Sequence, residues 1–98
     1  MAARKALVVD DSAADLANIK SILSDAGCMV VTAMSGKEAL EKAKSEHPSL
    51  IFMDVVMPDM DGYEACRLLA QDAGTKSIPV VFVTSKGQKA DKVWGELQ

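Results

Sequence analysis

Short, unbroken apolar runs alternate with segments of helical periodicity along this 98-residue chain. A continuous apolar run of this length is typical of a strand buried on both faces of a parallel sheet. Regular alternation of such strands with helices predicts an α/β protein with helices on both sheet faces. The four predicted strands occupy residues 6–9, 29–33, 50–53 and 79–83.

Helix start and stop signals lie between these runs. Ser12 and Ser35 are N-cap residues, and Asp61 with Glu64 forms a third cap, while Gly27 is a typical helix end. No internal repeat or linker interrupts the pattern, so we expect one domain. In chain order, the predicted helices occupy residues 12–27, 35–47 and 61 to about 73, with a fourth beginning after 87.

Composition excludes several classes of protein. The formal charge of −3, with acids and bases interspersed, provides no basic stripe for nucleic acid. Only four apolar residues lie between Lys5 and Asp10, too few for a signal peptide or a membrane span. Cys28 and Cys66 lack metal-ligand spacing and are expected to be reduced core thiols. We therefore expect a cytoplasmic protein without nucleic-acid partners or membrane insertion.

Acidic residues follow two of the predicted strands. Asp10 and Asp11 come after the first strand and Asp54 ends the third, so a parallel sheet would bring their carboxylates to one edge. Like charges at short range call for a cation or for a proton held between them, and an oxygen-only set favours Mg²⁺ as the cation. Asp54 beside such an ion is a competent nucleophile toward phosphorus, and Thr84 could hydrogen-bond a phosphoryl oxygen.

Other acidic and basic positions have simpler interpretations. An Asp after a strand is usually a loop or cap residue, and the functional interpretation depends on several of them meeting at strand ends. Asp59 and Asp61 lack the remaining ligands of a calcium loop and are expected to have loop and cap roles. His47, before a proline and without a catalytic partner, is expected at the surface.

Three blocks of sequence resemble the response-regulator receiver family: Leu-Val-Val-Asp-Asp-Ser at 7–12, Met-Asp-Val-Val-Met-Pro-Asp-Met-Asp-Gly at 53–62, and Pro-Val-Val-Phe-Val-Thr-Ser at 79–85. The resemblance implies a flavodoxin-like, doubly wound parallel sheet of order 2-1-3-4. It also implies that Asp54 accepts the phosphoryl group and that Thr84 is the switch hydroxyl. Mg²⁺ would be held by Asp10, Asp11, Asp54 and the backbone carbonyl of Val56.

The segment 84–98 resembles single-domain receivers of twitching-motility and related chemosensory systems. The family continues into a fifth strand and fifth helix, which are missing here, so we expect residues 1–98 to form a receiver domain lacking that portion. The family's phosphoryl-pairing lysine cannot be assigned to this chain. An exposed fourth-strand edge further predicts self-association of the fragment.

These expectations define a phosphoacceptor receiver in two-component signalling rather than an enzyme. A sensor histidine kinase of the chemotaxis type (CheA-like) would phosphorylate Asp54 and so switch protein–protein interactions, in pilus motility or chemosensory signalling. One alternative is a pseudo-receiver that binds proteins without being phosphorylated. This alternative applies especially to a fragment that lacks the fifth strand and fifth helix. A hydrolase with an aspartyl nucleophile is less suited, because the segment 54–56 lacks a second acid.

Overall fold

Four parallel strands form a single sheet in the computed structural model, which describes residues 4–83. The strand order is β2-β1-β3-β4, so the predicted flavodoxin-like order 2-1-3-4 is confirmed. Thr84, Ser85 and the predicted helix after Gly87 lie outside the described residues. The strands are β1 (Lys5–Val9), β2 (Met29–Ala33), β3 (Leu50–Asp54) and β4 (Val80–Val83).

The central position of β1 explains its unbroken apolar sequence. It pairs with β2 on one side and with β3 on the other, so both of its edges and both of its faces are covered. Leu7 and Val8, which point to opposite faces, are both fully buried. On β4, the strand begins one residue later than predicted because Pro79 has no N–H, although its carbonyl still accepts from Ile51 N at 3.0 Å.

Three helices connect the strands: α1 (Ala13–Asp25), α2 (Gly36–Glu46) and α3 (Gly62–Gln71). The predicted caps Ser12, Ser35 and Asp61 each accept a backbone N–H three residues later, at 3.3, 3.1 and 2.8 Å. Each cap satisfies one of the N–H groups that a helix start leaves without a partner. The start signals in the sequence were therefore correct for all three described helices.

Helix α3 ends about two residues earlier than predicted. Asp72 has extended backbone angles, and its Oδ1 accepts the N–H of Gly74 at 2.8 Å. This local side-chain hydrogen bond competes with continuation of the helix. The buried hydroxyl of Thr75 then donates to the carbonyl of Leu69 at 2.7 Å. This hydrogen bond provides a partner for a carbonyl group in the last turn of the helix.

The hydrophobic core lies between the sheet and helices α2 and α3. Side chains of β1 and β3 that point to this face pack against the small residues Ala39, Ala43 and Ala65 together with Leu69. Helix α1 covers the opposite face, and only its Leu16 is buried. Helix α1, between β1 and β2, and helix α2, between β2 and β3, thus lie on opposite faces of the sheet, as predicted.

The two cysteines are free but are not core residues, so that part of the prediction was wrong. Cys28 and Cys66 are both half-buried. Cys28 lies in the turn before β2, and Cys66 follows the fully buried Ala65 on α3 and so points to the flank of the helix. Partial burial raises the pKa of the Cys66 thiol and keeps it protonated.

The ionised carboxylate of Asp72 is expected to stabilise the folded protein by an amount that depends on pH. The Gly74 N–H and the Lys44 ammonium, 3.2 Å from Oδ2, hold the pKa of Asp72 below its ordinary value of 3.8. A lowered folded-state pKa stabilises the protein above the unfolded-state value, and that contribution is lost as pH falls through the folded-state value.

We therefore expect Asp72→Asn to be less stable than the wild type near neutral pH, with the difference shrinking as pH falls below about 4. Urea unfolding of both proteins across this range measures the difference directly. Asparagine can still accept the Gly74 N–H, so the comparison isolates the charge. A difference that stays constant with pH would contradict the assignment.

Candidate metal site

The carboxyl ends of β1 and β3 meet at one edge of the sheet. Val9 is aligned with Met53, which places Asp10 beside Asp54 as the next residue along each strand. The N–H of Asp10 donates to the carbonyl of Ala33 at the end of β2, at 3.1 Å. The first and third predicted strands therefore bring their acidic ends together, as the parallel arrangement requires.

Three carboxylates lie in one cluster at this edge. One oxygen from each of Asp10, Asp11 and Asp54 lies within 4.8 Å of the others. Asp10 and Asp54 are each only 1% exposed, and Asp11 is half-buried. Negative charges held this close in a poorly solvated site repel one another strongly unless a cation or a proton intervenes.

The donor set fits a hard divalent cation. The cluster supplies carboxylate oxygens and contains neither His nor Cys, which is the ligand chemistry of Mg²⁺ rather than of zinc or copper. Asp10 is also oriented for this role, because its Oδ1 accepts the N–H of Ser12 at 2.9 Å. That hydrogen bond fixes one carboxylate oxygen and so restricts the rotation of the Asp10 side chain.

The loop between β3 and α3 continues directly from the cluster. The N–H of Val55 donates to the carbonyl of Val83 at 3.2 Å, and the carbonyl of Val55 accepts the N–H of Gly62 at 3.0 Å. Val56 follows at the surface, with 55% of its area exposed. Its carbonyl was predicted as a metal ligand from resemblance, and that role stays a prediction.

Gly62 is a residue that sequence reasoning passed over. A Cβ on Gly62 would lie 2.3 Å from the carbonyl oxygen of Asp54 and 3.0 Å from Cγ of Met53. The start of α3 therefore packs directly on the backbone of Asp54, and only glycine permits this approach. The available signal was a glycine immediately after the cap Asp61, at the first position of a helix, where glycine has no propensity advantage.

The other acids and His47 have the simple roles that were expected of them. Asp61 Oδ1 caps α3, and Asp59 lies in the loop with a φ of 70°, in the left-handed region that Asp tolerates better than most residues. His47 is exposed and ends α2 with a φ of 49°. Thr84, the predicted switch hydroxyl, follows Val83 and lies outside the described residues.

A four-stranded parallel sheet of this order, with an acidic cluster at its carboxyl edge, has a flavodoxin-like architecture rather than the strand order of the dinucleotide-binding fold. The family model for the response regulator receiver domain matches residues 6–95. The chain therefore belongs to the receiver domain family of two-component signalling, which confirms the resemblance found in the sequence.

Two curated relatives come from Pseudomonas aeruginosa. Protein PilH is 41% identical over 92 residues, which cover 94% of this chain and 76% of PilH. Protein PilG is 39% identical over 93 residues, which cover 95% of this chain and 69% of PilG. The similarity to these two proteins agrees with the subtype that segment 84–98 indicated.

Solved structures agree with this assignment. The chemotaxis protein CheY4 of Vibrio cholerae has a TM-score of 0.81 at 34% identity, over 98% of this chain and 80% of CheY4. The receiver domain of the sensor histidine kinase PA1611 from Pseudomonas aeruginosa has a TM-score of 0.81 at 25% identity, over 93% of this chain and 75% of that domain. The PA1611 structure has a magnesium ion coordinated in its active-site cleft.

In residues 4–83 of the present chain, no helix is long and apolar enough to cross a membrane.

Proposed function

We propose that this chain is a phosphoacceptor receiver in which Asp54 takes a phosphoryl group from a sensor histidine kinase in the presence of Mg²⁺. The observation that carries the proposal is the cluster of Asp10, Asp11 and Asp54, with one oxygen of each within 4.8 Å of the others. The cluster lies beyond the carboxyl ends of the strands, which is where ligands bind in open parallel sheets. Membership of the receiver family supports the same conclusion.

Asp10, Asp11 and Asp54, with the Val56 carbonyl, are the residues that would hold the ion. When bound there, Mg²⁺ neutralises negative charge on the phosphoryl oxygens and on the carboxylates themselves. The hydrogen bond from Ser12 N to Asp10 Oδ1, at 2.9 Å, keeps that carboxylate in place whether or not phosphate is present.

Asp54 is the nucleophile in this proposal because it terminates the central strand β3 and its carboxylate is held by a rigid backbone. A carboxylate oxygen of Asp54 attacks the phosphorus of a phosphohistidine. The new O–P bond forms as the P–N bond breaks, and the electron pair of that bond remains on the imidazole nitrogen, which takes up a proton. Asp10 and Asp11 are adjacent on the neighbouring strand end and serve the cation instead.

Thr84 is proposed as the switch hydroxyl. Its neighbour Val83 is aligned with Asp54 across the β3–β4 pair, so the residue after Val83 follows the strand end next to the phosphoacceptor. A threonine hydroxyl that donates to a phosphoryl oxygen couples the phosphorylated state to the surface that follows β4. The output is a change in protein–protein interactions, and the chain acts as a signalling module rather than as an enzyme with turnover.

The setting we propose is cytoplasmic signalling in pilus motility or a chemosensory system, with a CheA-like kinase as the donor. The support is the similarity to PilH and PilG over more than nine-tenths of this chain. A nucleic-acid partner is not part of the proposal, because the net charge of −3, with acids and bases interspersed, gives no basic stripe.

Phosphorylation by a small donor tests the proposal. Incubation of the whole chain with Mg²⁺ and acetyl phosphate is expected to add the mass of one phosphoryl group, measured by intact-protein mass spectrometry. Asp54→Asn should abolish the adduct, whereas Asp59→Asn, which changes an exposed acid in the same loop, should retain it. Removal of Mg²⁺ with a chelator should also prevent the adduct.

Each other outcome favours a different function. A wild-type chain that binds Mg²⁺ but never forms the adduct would favour the pseudo-receiver, a protein-binding module without phosphorylation. Rapid turnover of unrelated phosphoesters would favour the hydrolase. An adduct that persists in Asp54→Asn would place the phosphoryl group on a different residue and contradict the assignment of Asp54.

A further inference from the structure

The loop between β3 and α3 is fixed at both ends by backbone hydrogen bonds but spans several exposed residues between them. Val55 N donates to Val83 O at 3.2 Å, and Gly62 N donates to Val55 O at 3.0 Å. Between these anchors Val56, Pro58 and Asp59 are exposed, whereas Met57 is buried in the hydrophobic core. A second side-chain contact, on the other side of Pro58, would hold the loop at two points and so restrict where the Val56 carbonyl points.

Met60 provides such a contact. A Cβ placed on Gly36 would lie 2.7 Å from Sδ, 3.0 Å from Cγ and 3.1 Å from Cβ of Met60. Three consecutive atoms of the methionine side chain thus occupy the space beside Gly36 that a side chain at this position would need. Gly36 is buried and Met60 is half-buried, so the contact closes the space between the loop and the start of α2.

The start of α2 is a rigid support for Met60. Ser35 Oγ accepts the N–H of Glu38 at 3.1 Å, and Glu38 Oε1 accepts the N–H of Met34 at 2.9 Å. These two hydrogen bonds resemble a capping box, except that the Glu38 side chain accepts from the residue before the N-cap, and together they hold the first turn of α2 in one conformation. A side chain that packs on Gly36 is therefore fixed by α2 rather than by the loop to which it belongs.

We propose that Met60, packed on Gly36, is a positioning residue for the metal site. The inference rests on the proposed function, because it assigns Met60 to the loop that carries the Val56 carbonyl to the cation. Met60 donates no ligand atom itself. It restricts the loop before the ion arrives, so that less ordering is needed on binding, and groups that orient metal ligands typically change metal affinity by about 10- to 100-fold when removed.

Magnesium affinity, measured by isothermal titration calorimetry on the whole chain, tests this role. Met60→Ala is expected to weaken Mg²⁺ binding about tenfold. Met60→Leu, which conserves volume, should restore affinity to within about threefold of the wild type. Met34→Ala is the matched control: this methionine is 47% exposed near the same end of the sheet, and its replacement should leave affinity unchanged.

A double substitution separates positioning from a general loss of structure. Gly36→Ala alone should weaken Mg²⁺ binding, because the new methyl group displaces the Met60 side chain. In Met60→Ala the same change should cost little more, because the displaced side chain is already absent. Additive losses would overturn the proposal. Urea unfolding of each variant identifies any that have lost the fold. If Met60→Ala is one of them, Gly36→Ala, which displaces the same side chain, remains the informative protein, and an unchanged Mg²⁺ affinity there would overturn the proposal.

The outcomes for the inference and for the proposed function are distinct. A wild-type chain that binds Mg²⁺, with Met60→Ala binding it equally well, overturns the inference alone. A wild-type chain that fails to bind Mg²⁺ overturns the metal site and the positioning role together. Tenfold weaker binding with rescue by leucine and non-additivity with Gly36→Ala supports the assignment.

Discussion

Gly62→Ala is expected to destabilise the protein by about 3 kcal/mol, at the upper end of the range for overpacking. The new Cβ would lie 2.3 Å from the carbonyl oxygen of Asp54 and 3.0 Å from its carbonyl carbon. Both are backbone atoms of the strand that ends in the acidic cluster, so neither can move without displacing β3. The loss is large compared with a total stability of about 5–15 kcal/mol.

Two effects of this substitution oppose each other. Alanine has the higher helix propensity, worth about 1 kcal/mol over glycine in a helix, chiefly because glycine loses more backbone entropy on folding, whereas the new Cβ clashes with the backbone of Asp54. The clash outweighs the gain in propensity because it is made against backbone rather than against a flexible side chain. Relief of the clash requires the first turn of α3 to move away from Asp54, which also disturbs the cluster.

Urea unfolding measures the loss of stability, and Mg²⁺ titration measures the effect on the site. Gly74→Ala is the matched control, because its Cβ would meet only the Asp72 carboxylate, at 3.3 Å, and a small shift of that side chain relieves the contact while the Gly74 N–H stays within hydrogen-bond reach. We expect the control to change stability by less than about 1 kcal/mol. Equal effects at Gly62 and Gly74 would contradict the role of close packing on Asp54.

Asp11→Asn is expected to stabilise the metal-free protein and to make it insensitive to Mg²⁺. Removing one of three carboxylates held within 4.8 Å relieves repulsion with the two buried ones. We expect a gain of about 1–2 kcal/mol after allowing for the partial exposure of Asp11. The wild type, in contrast, should gain about 2.7 kcal/mol from Mg²⁺ at one hundred times its dissociation constant.

The prediction is a reversal of the stability order. Thermal or urea unfolding should rank Asp11→Asn above the wild type in a chelating buffer and below it, or level with it, in saturating Mg²⁺. Glu41→Gln, which neutralises an exposed acid on α2, serves as the control and should change neither ranking. A wild type whose stability is unaffected by Mg²⁺, or an Asp11→Asn protein that is less stable without metal, would contradict the interpretation of the cluster.

Much of the local structure could be predicted because its causes are local. Ser12, Ser35 and Asp61 cap helices through hydrogen bonds that span three residues, so the signal and its effect lie in the same short segment. The end of α3 was predicted about two residues too late, because Asp72 and Gly74 indicate a nearby helix end without specifying its last residue. The hydrogen bond between Asp72 and Gly74 decided which residue left the helix.

The cysteines show where a sequence pattern is insufficient. Cys28 and Cys66 lie in apolar segments, which favoured core positions, yet both are half-buried. Burial depends on which side of an element a residue occupies and on what packs there. Cys66 is next to the fully buried Ala65. Successive side chains of a helix point in different directions, so the residue after a buried one lies on the flank of the helix.

The sequence by itself determined the α/β class, the helix starts and the acids that end two strands, because apolar periodicity, capping and chain order are encoded over short distances. The resemblance to the receiver family then supplied the strand order. Only the tertiary structure decided that the start of α3 packs on the carbonyl of Asp54 and that Met60 lies on Gly36. These contacts join segments that are distant in the chain, and close packing fixes them only when the complete sheet and its helices come together.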